Sequence, residues 1–158
     1  MNQDSLIQEL KSTKEFFDRS TRPLTEEDST FAPTQGMWSA SQQVAHAAQT
    51  IDWFVEGAFR PEGFDLDFEA MATEVNKIQS LKEARDWLDR AFDRCIQTIG
   101  SKSMEELTAP LPAGPIMGGA PRLAIVGAIV DHTAHHRGAL TVYSRLRDKV
   151  PPMPYMET

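Results

Sequence analysis

Four long segments of the chain repeat apolar residues at steps of three and four, and proline or glycine separates them. They cover about residues 4–20, 39–59, 81–99 and 122–149. This spacing places the apolar side chains on one face of an α-helix, and no comparable run alternates with the period of two that a β-strand requires. Four such helices predict an all-α four-helix bundle, built as one domain over residues 1–158.

Several residues mark where the predicted helices begin and end. Capping-box spacing, in which two side chains satisfy free backbone N–H groups, occurs at Ser5 with Gln8, Ser39 with Gln42, and Ser80 with Glu83. Gly100 occupies the position expected just after the third helix. Arg145, Arg147 and Lys149 suit the negative end of the dipole of the fourth helix. The acidic connection over residues 64–79 is predicted to hold one or two helical turns.

Acidic residues outnumber basic residues by 23 to 16, which gives a net charge of −7. Such a chain lacks the basic surface that nucleic-acid phosphates require, so we expect no nucleic-acid partner. Its longest apolar stretch, residues 123–130, is far shorter than the roughly 18 residues that span a bilayer, so we expect no membrane association. The start of the chain lacks the pattern of a secretory signal, and the only cysteine, Cys95, cannot form an internal disulfide. These features favour a reducing, cytoplasmic setting.

His132 and His136 are four residues apart, so on the fourth helix they lie one turn apart, with Cβ atoms roughly 5–6 Å from each other. Both fall on the apolar face of that helix, near Ile125 and Ile129. Buried imidazoles must stay neutral and still need partners for both ring nitrogens, and one metal ion would meet both needs. The alternatives are a pair of hydrogen-bonded core histidines and a cavity open to water.

His46 lies on the second helix, opposite the apolar face of that helix. Its neighbours there are Gln42, Gln49, Thr50 and Trp53. This face is either solvated or lines a cleft, and Trp53 favours a cleft because so large an apolar side chain is seldom left in water. Three histidines from two helices would form a site of three nitrogens with an open position, as in catalytic zinc sites; nickel, cobalt and iron also accept such ligands. His135 lies at the edge of the face of the fourth helix that carries His132. It is expected beside this site or at an interface rather than as a fourth ligand.

Two motifs, in this order and spacing, resemble the signatures of the DinB-like (YfiT-type) metalloprotein superfamily. Residues 131–139 read DHTAHHRGA, which is similar to its H-x-x-x-H-R-G-Q motif, and residues 37–46 contain its Trp-Ser helix start followed by a histidine. The proline-rich close at 150–155 also resembles such chains, so the likeness covers the whole length. Ala139 stands where the family often has Gln, so a polar contact near the site is expected to be missing.

This resemblance implies a four-helix bundle with a long crossover connection, in the order up-down-down-up. It implies a divalent metal, usually zinc or nickel, held by His46, His132 and His136. Characterised members include transferases and isomerases that use the small-molecule thiols mycothiol or bacillithiol. Homodimers are common in the family, and one is expected here, with the apolar tail at residues 151–156 and His135 as candidate contacts.

An open metal site of three histidines supports two kinds of chemistry, because the ion lowers the pKa of a bound water towards about 7 or deprotonates a bound thiol. The leading hypothesis is a thiol-dependent S-transferase or isomerase acting on a small electrophile. A small-molecule cofactor would supply the thiol, because Cys95 lies on the apolar face of the third helix and is interpreted as a core residue. The alternatives are a metal-dependent hydrolase and a non-catalytic helical bundle that binds a metal or another ligand.

Few other side chains are placed to move protons or to orient the histidines. Tyr143 lies two turns beyond His136 on the same face and is the candidate proton donor, with a core tyrosine of satisfied hydroxyl as the alternative. Gln42 and Thr50 lie one turn either side of His46 and are candidates to hold its ring or to line the pocket.

Overall fold

The computed structural model describes residues 2–156 and is almost entirely helical. Its α-helices are α1 (Gln3–Thr21), α2 (Ala40–Phe59), α3 (Phe68–Asn76), α4 (Leu81–Ser101), α5 (Met104–Thr108) and α6 (Ala124–Leu146), and a 3₁₀ turn covers Glu26–Asp28. The only β-type pairing within residues 2–156 is an isolated bridge between Pro110 and Pro121. The all-α prediction is confirmed, and the acidic connection contains the expected short helix, α3.

The long helices α1, α2, α4 and α6 form the bundle, and contacts at their ends give their directions. The Gln3 side chain donates to the carbonyl oxygens of Ile99 and Lys102, each at 2.7 Å. At the other end of the same pair, Arg85 donates to the Thr21 carbonyl oxygen at 2.9 Å. The start of α1 therefore lies against the end of α4, and these two helices are antiparallel.

α2 runs parallel to α4. Near the start of α2, Ser41 donates to the Ile78 carbonyl oxygen at 3.3 Å, just before α4 begins. One turn past the middle of α2, Asp52 accepts from Arg94 in the second half of α4 at 2.7 Å. Two parallel helices cannot be joined by a tight turn, so the chain crosses the length of the bundle through residues 60–80, which include α3.

α2 and α6 are antiparallel. Gln43 near the start of α2 donates to the Tyr143 hydroxyl near the end of α6 at 3.3 Å. At the opposite end, the Arg122 guanidinium lies over the Phe59 ring, 5.7 Å from its centroid. α1 and α4 are antiparallel, α2 and α4 are parallel, and α2 and α6 are antiparallel. These three relations give the up-down-down-up order with a long crossover and confirm the predicted topology.

The apolar faces predicted from the periodicity form the core. Its largest fully buried side chains include Phe17 of α1, Ile51 of α2, Phe92 of α4 and Ile129 of α6. Cys95 is also buried, and desolvation raises the pKa of its thiol to about 12, as expected for a core residue. None of the helices within residues 2–156 combines the length and the apolar content of a membrane-spanning segment.

Two of the predicted helix boundaries need correction. α1 begins before Ser5, because the Asn2 side chain caps the helix by accepting from the Ser5 N–H at 2.9 Å. Gly100 lies inside α4 rather than after it, since the helical backbone continues beyond this residue. The capping box of Ser39 and Gln42 at the start of α2 is confirmed.

The end of α6 is tied to the segment that follows α1. The helix ends at Leu146, so Arg147 and Lys149 lie beyond the last turns for which they were predicted. Both pair instead with Asp28, whose side chain is fully buried. Burial alone would raise the pKa of this carboxyl, but hydrogen bonds from Lys149, the Thr25 N–H and Arg147 outweigh it and lower the pKa to about 2.

We expect Asp28→Asn to reduce the free energy of unfolding at pH 7 by about 2 kcal/mol, because a pKa lowered from 3.8 to about 2 corresponds to a stabilisation of that size. The stabilisation is complete above pH 3.8 and is lost as the pH falls towards 2, so the difference between wild type and variant should shrink at pH 3. Urea unfolding at the two pH values measures this. Asp93→Asn, at an exposed position of α4, is the matched control and should change stability by less than about 0.5 kcal/mol. Equal losses in the two variants would contradict this role for Asp28.

Candidate metal centre

Two helices, α2 and α6, bring three imidazole rings together. His46 projects from α2, and His132 and His136 lie one turn apart on α6. Their candidate ligand nitrogens all lie within 4.8 Å of one another. The His46 ring centroid is 5.0 Å from each of the other two centroids. The structure therefore contains the convergence that the sequence predicts.

The spacing of the two α6 nitrogens fits a shared metal ion. Two nitrogens bound to one zinc at about 2.0–2.1 Å, at angles between octahedral and tetrahedral, lie roughly 2.8–3.4 Å apart. The Nε2 atoms of His132 and His136 are 3.3 Å apart, which falls within this range. The donor set also fits, because neutral imidazoles are ligands that zinc and nickel both accept.

Burial keeps the three rings neutral. Desolvation, followed by the neighbouring imidazoles, lowers the pKa of His132 to about 4 and that of His136 to about 3. Desolvation also lowers the pKa of His46, against a smaller opposite effect of the Gln49 side chain. At neutral pH each ring therefore has a lone pair available for a cation, and protons compete with that cation only in acid.

Three side chains that surround the rings come from α2 or from the residue just before its cap. Gln43 contacts the Nδ1 atom of His136 through its side-chain oxygen at 2.5 Å. Trp38 packs on His46 with ring centroids 4.4 Å apart. Gln49 donates from its amide nitrogen to the Met71 carbonyl oxygen at 2.9 Å, so α3 holds this amide next to His46.

Sequence reasoning missed Gln43 and chose its neighbour Gln42. Both are within one turn of His46 and both project towards its side of α2, so the spacing alone does not separate them. Gln42 is the third residue of α2, and its amide closes the capping box and donates to the Asn76 carbonyl oxygen at 3.2 Å. Its polar atoms are therefore used by the helix end and the crossover rather than by the His46 ring.

The other predicted neighbours lie at different distances from the rings. Thr50 is buried one turn beyond His46. Trp53 is two turns away and donates to the Asp65 carbonyl oxygen at 2.7 Å, so it holds the crossover rather than the site. His135 is exposed, with its ring edge-on to that of His136 at 5.0 Å between centroids. Ala139 is half-buried on α6.

Tyr143 corresponds to the core-tyrosine alternative rather than to a proton donor for substrate. The residue is 1% exposed. Its hydroxyl donates to the Trp38 carbonyl oxygen at 2.8 Å and accepts from the Gln43 amide at 3.3 Å. The single proton of the hydroxyl is thus already committed to the protein backbone, which corrects the predicted catalytic role.

Comparison with known families agrees with this geometry. The sequence profile described as the DinB superfamily matches residues 9–140, which include all three converging histidines. The chain belongs to the DinB superfamily. Membership confirms the resemblance first drawn from the two motifs around Trp38 and His132.

Solved structures show how widely the fold of this DinB superfamily protein is shared. A crystal structure of a Streptococcus pneumoniae protein superposes with a TM-score of 0.73 at 13% identity, covering 92% of this chain and 91% of that one. A DinB-like protein of Bacillus subtilis gives a TM-score of 0.70 at 13% identity, covering 97% and 99%. At such low identity these likenesses show the fold alone. No functionally curated protein matches the sequence significantly.

We expect the protein to bind one zinc or nickel ion, and His46→Ala, His132→Ala and His136→Ala each to weaken binding by more than about 100-fold, since even the loss of a group that orients a ligand costs about 10–100-fold. Calorimetric titration of chelator-treated protein, together with elemental analysis, measures affinity and stoichiometry. His135→Ala is the matched control, because this exposed ring lies outside the convergent set, and it should bind as the wild type does. A stoichiometric metal retained by His132→Ala would rule out the assigned ligand set.

Proposed function

We propose that this DinB superfamily protein holds one divalent ion, zinc or nickel, on His46, His132 and His136, and that it is a thiol-dependent S-transferase or isomerase for a small electrophile. The observation that carries the proposal is the convergence of three neutral imidazoles from two helices, with ligand nitrogens within 4.8 Å of one another. Three neutral ligands leave a divalent ion its full charge and at least one open position, which is the pattern of catalytic rather than structural sites.

When bound, such an ion keeps a coordinated thiol deprotonated at neutral pH. The chain itself holds the rings and controls access to them. Trp38 covers one side of His46, and His136 is 5% exposed. His46 and His132 are only half-buried, so a small substrate has a route to the site from solvent.

The thiol must come from outside the chain. Cys95 is the only cysteine, its side chain is fully buried, and the pKa of its thiol is raised to about 12. A small thiol of the bacillithiol or mycothiol type would serve as the cofactor. In the transferase reaction, its sulfur forms a bond to the electrophilic carbon, and the leaving group departs with the bonding electrons and takes up the proton that the thiol released. In an isomerase the thiol adds and is later expelled, so it is not consumed.

We expect the zinc- or nickel-loaded protein to turn over at least one electrophile in the presence of a small thiol, and His46→Ala to lower that rate by more than about 100-fold, in line with the loss of a ligand. The assay follows product formation and thiol consumption across a panel of thiols and electrophiles, with cooperative unfolding as the test of folding. Cys95→Ala is the matched control and should retain the rate, because its thiol takes no part in the reaction.

Two results would contradict this function. Metal-dependent hydrolysis of esters or amides without thiol would identify the protein as a hydrolase instead. A stoichiometric metal with no turnover on any thiol, ester or amide would leave a metal-binding bundle without catalytic activity.

The predicted homodimer stays part of this proposal. The tail retains exposed apolar side chains, including Tyr155 at 65% and Met156 at 58% exposure, which a second copy of the chain would cover. Light scattering coupled to size exclusion should give the mass of two chains at micromolar concentration. A monomer under those conditions would remove the homodimer.

A further inference from the structure

A chain of three hydrogen bonds connects His136 to the protein backbone on the side of the ring away from the other histidines. The Nδ1 atom of His136 lies 2.5 Å from the Gln43 side-chain oxygen. The Gln43 amide nitrogen lies 3.3 Å from the Tyr143 hydroxyl, which in turn lies 2.8 Å from the Trp38 carbonyl oxygen. Each link joins α6 to α2 or to the residue just before the cap of α2.

The direction of this chain follows from its last member. A carbonyl oxygen only accepts, so the Tyr143 hydroxyl must donate its single proton to Trp38. The hydroxyl then accepts from Gln43, which requires the amide nitrogen of Gln43 to face Tyr143. The amide oxygen is left facing His136 and can only accept, so Nδ1 of His136 must carry the proton of the neutral ring.

This hydrogen-bond direction leaves the Nε2 atom of His136 unprotonated and able to bind a metal. With the proton on Nδ1, the Nε2 atom has a free lone pair, and it is this atom that lies 3.3 Å from Nε2 of His132. Which ring nitrogen binds a metal is set by the hydrogen bond that the other nitrogen makes. Without such a partner, a neutral histidine in water favours the proton on Nε2, which would block the ligand position.

We infer that Gln43 is a positioning residue that fixes His136 in the tautomer required for metal binding, and that Tyr143 acts through Gln43 by fixing the direction of its amide. This inference rests on the proposed metal site. Burial supports it, because Tyr143 is 1% exposed and His136 is 5% exposed, so little water reaches these two residues as an alternative partner. α2 thereby supplies one ligand, His46, and one turn earlier the group that orients a ligand of α6.

The tautomer can be measured directly in the metal-free protein. Long-range ¹H–¹⁵N correlation spectra distinguish the protonated nitrogen of each imidazole. We expect His136 to carry its proton on Nδ1 in the wild type and in Gln43→Glu, which keeps an accepting oxygen. Gln43→Met removes the acceptor at similar size, and we expect the proton to move to Nε2. In Tyr143→Phe, the Gln43 amide loses the partner that fixes its direction and can rotate by half a turn. A mixture of the two His136 tautomers is then expected.

Zinc affinity, measured by competition with a chelator, gives the second readout. Gln43→Met should weaken zinc binding by about 10–100-fold, as expected for loss of a group that orients a ligand. Gln43→Glu, which keeps an accepting oxygen, should bind zinc as tightly as the wild type does. Tyr143→Phe should weaken binding less than Gln43→Met does, and should add no further loss when combined with it, because it acts only through Gln43. Gln97→Met, at an exposed position of α4, is the matched control and should bind zinc as the wild type does.

The outcomes separate this inference from the proposed function. A wild-type His136 with its proton on Nε2, or a folded Gln43→Met that binds zinc with wild-type affinity, would overturn the inference. A wild type that binds neither zinc nor nickel would remove the proposed function, while the tautomer of His136 would still decide the role of Gln43. If Gln43→Met fails to fold, the wild-type tautomer and the Tyr143→Phe affinity decide it instead.

Discussion

The packing of three imidazole rings between α2 and α6, with His136 buried and His46 and His132 half-buried, is the constraint on which the rest of the structure depends. A buried polar atom without a partner costs about 1–3 kcal/mol, and a charged imidazole in the same place costs more. The structure accommodates the rings by keeping them neutral and by placing glutamine amides of α2 beside His46 and His136. The Nε2 atoms of His132 and His136 face each other at 3.3 Å, an arrangement that a shared cation would complete.

The crossover does more than connect two parallel helices. Its helix α3 supports the outer side of the histidine cluster through polar contacts to α2 and to Trp38, just before the cap of α2. Asn76 accepts from the Trp38 indole at 3.2 Å, and the Met71 carbonyl oxygen accepts from Gln49 at 2.9 Å. Trp38 and Gln49, the two residues next to His46, are therefore held by α3 from outside the bundle. The topology that makes the crossover necessary also supplies the groups that fix the site.

The chemistry proposed for the site depends on where the fold places Cys95 and the Tyr143 hydroxyl. The chain's one cysteine is shielded in the core, so any sulfur nucleophile must be brought by a small molecule. Tyr143 uses its proton within the protein. The histidine cluster is a candidate site for a metal, and in the proposed function coordination rather than a general base would activate the nucleophile.

The sequence by itself determined the helices, the core and the three histidines, because apolar periodicity and the four-residue spacing of His132 and His136 are local properties of a helix. It also determined that His46 faces away from the apolar stripe of α2. Only the tertiary structure decided that Gln43 rather than Gln42 reaches His136, since both project to the same side and only the position of α6 separates them. It likewise decided that Tyr143 is bound to backbone and that Asp28 holds the end of α6. Those partners are about 100 residues or more away along the chain, and no local pattern encodes which distant groups the packing of helices brings together.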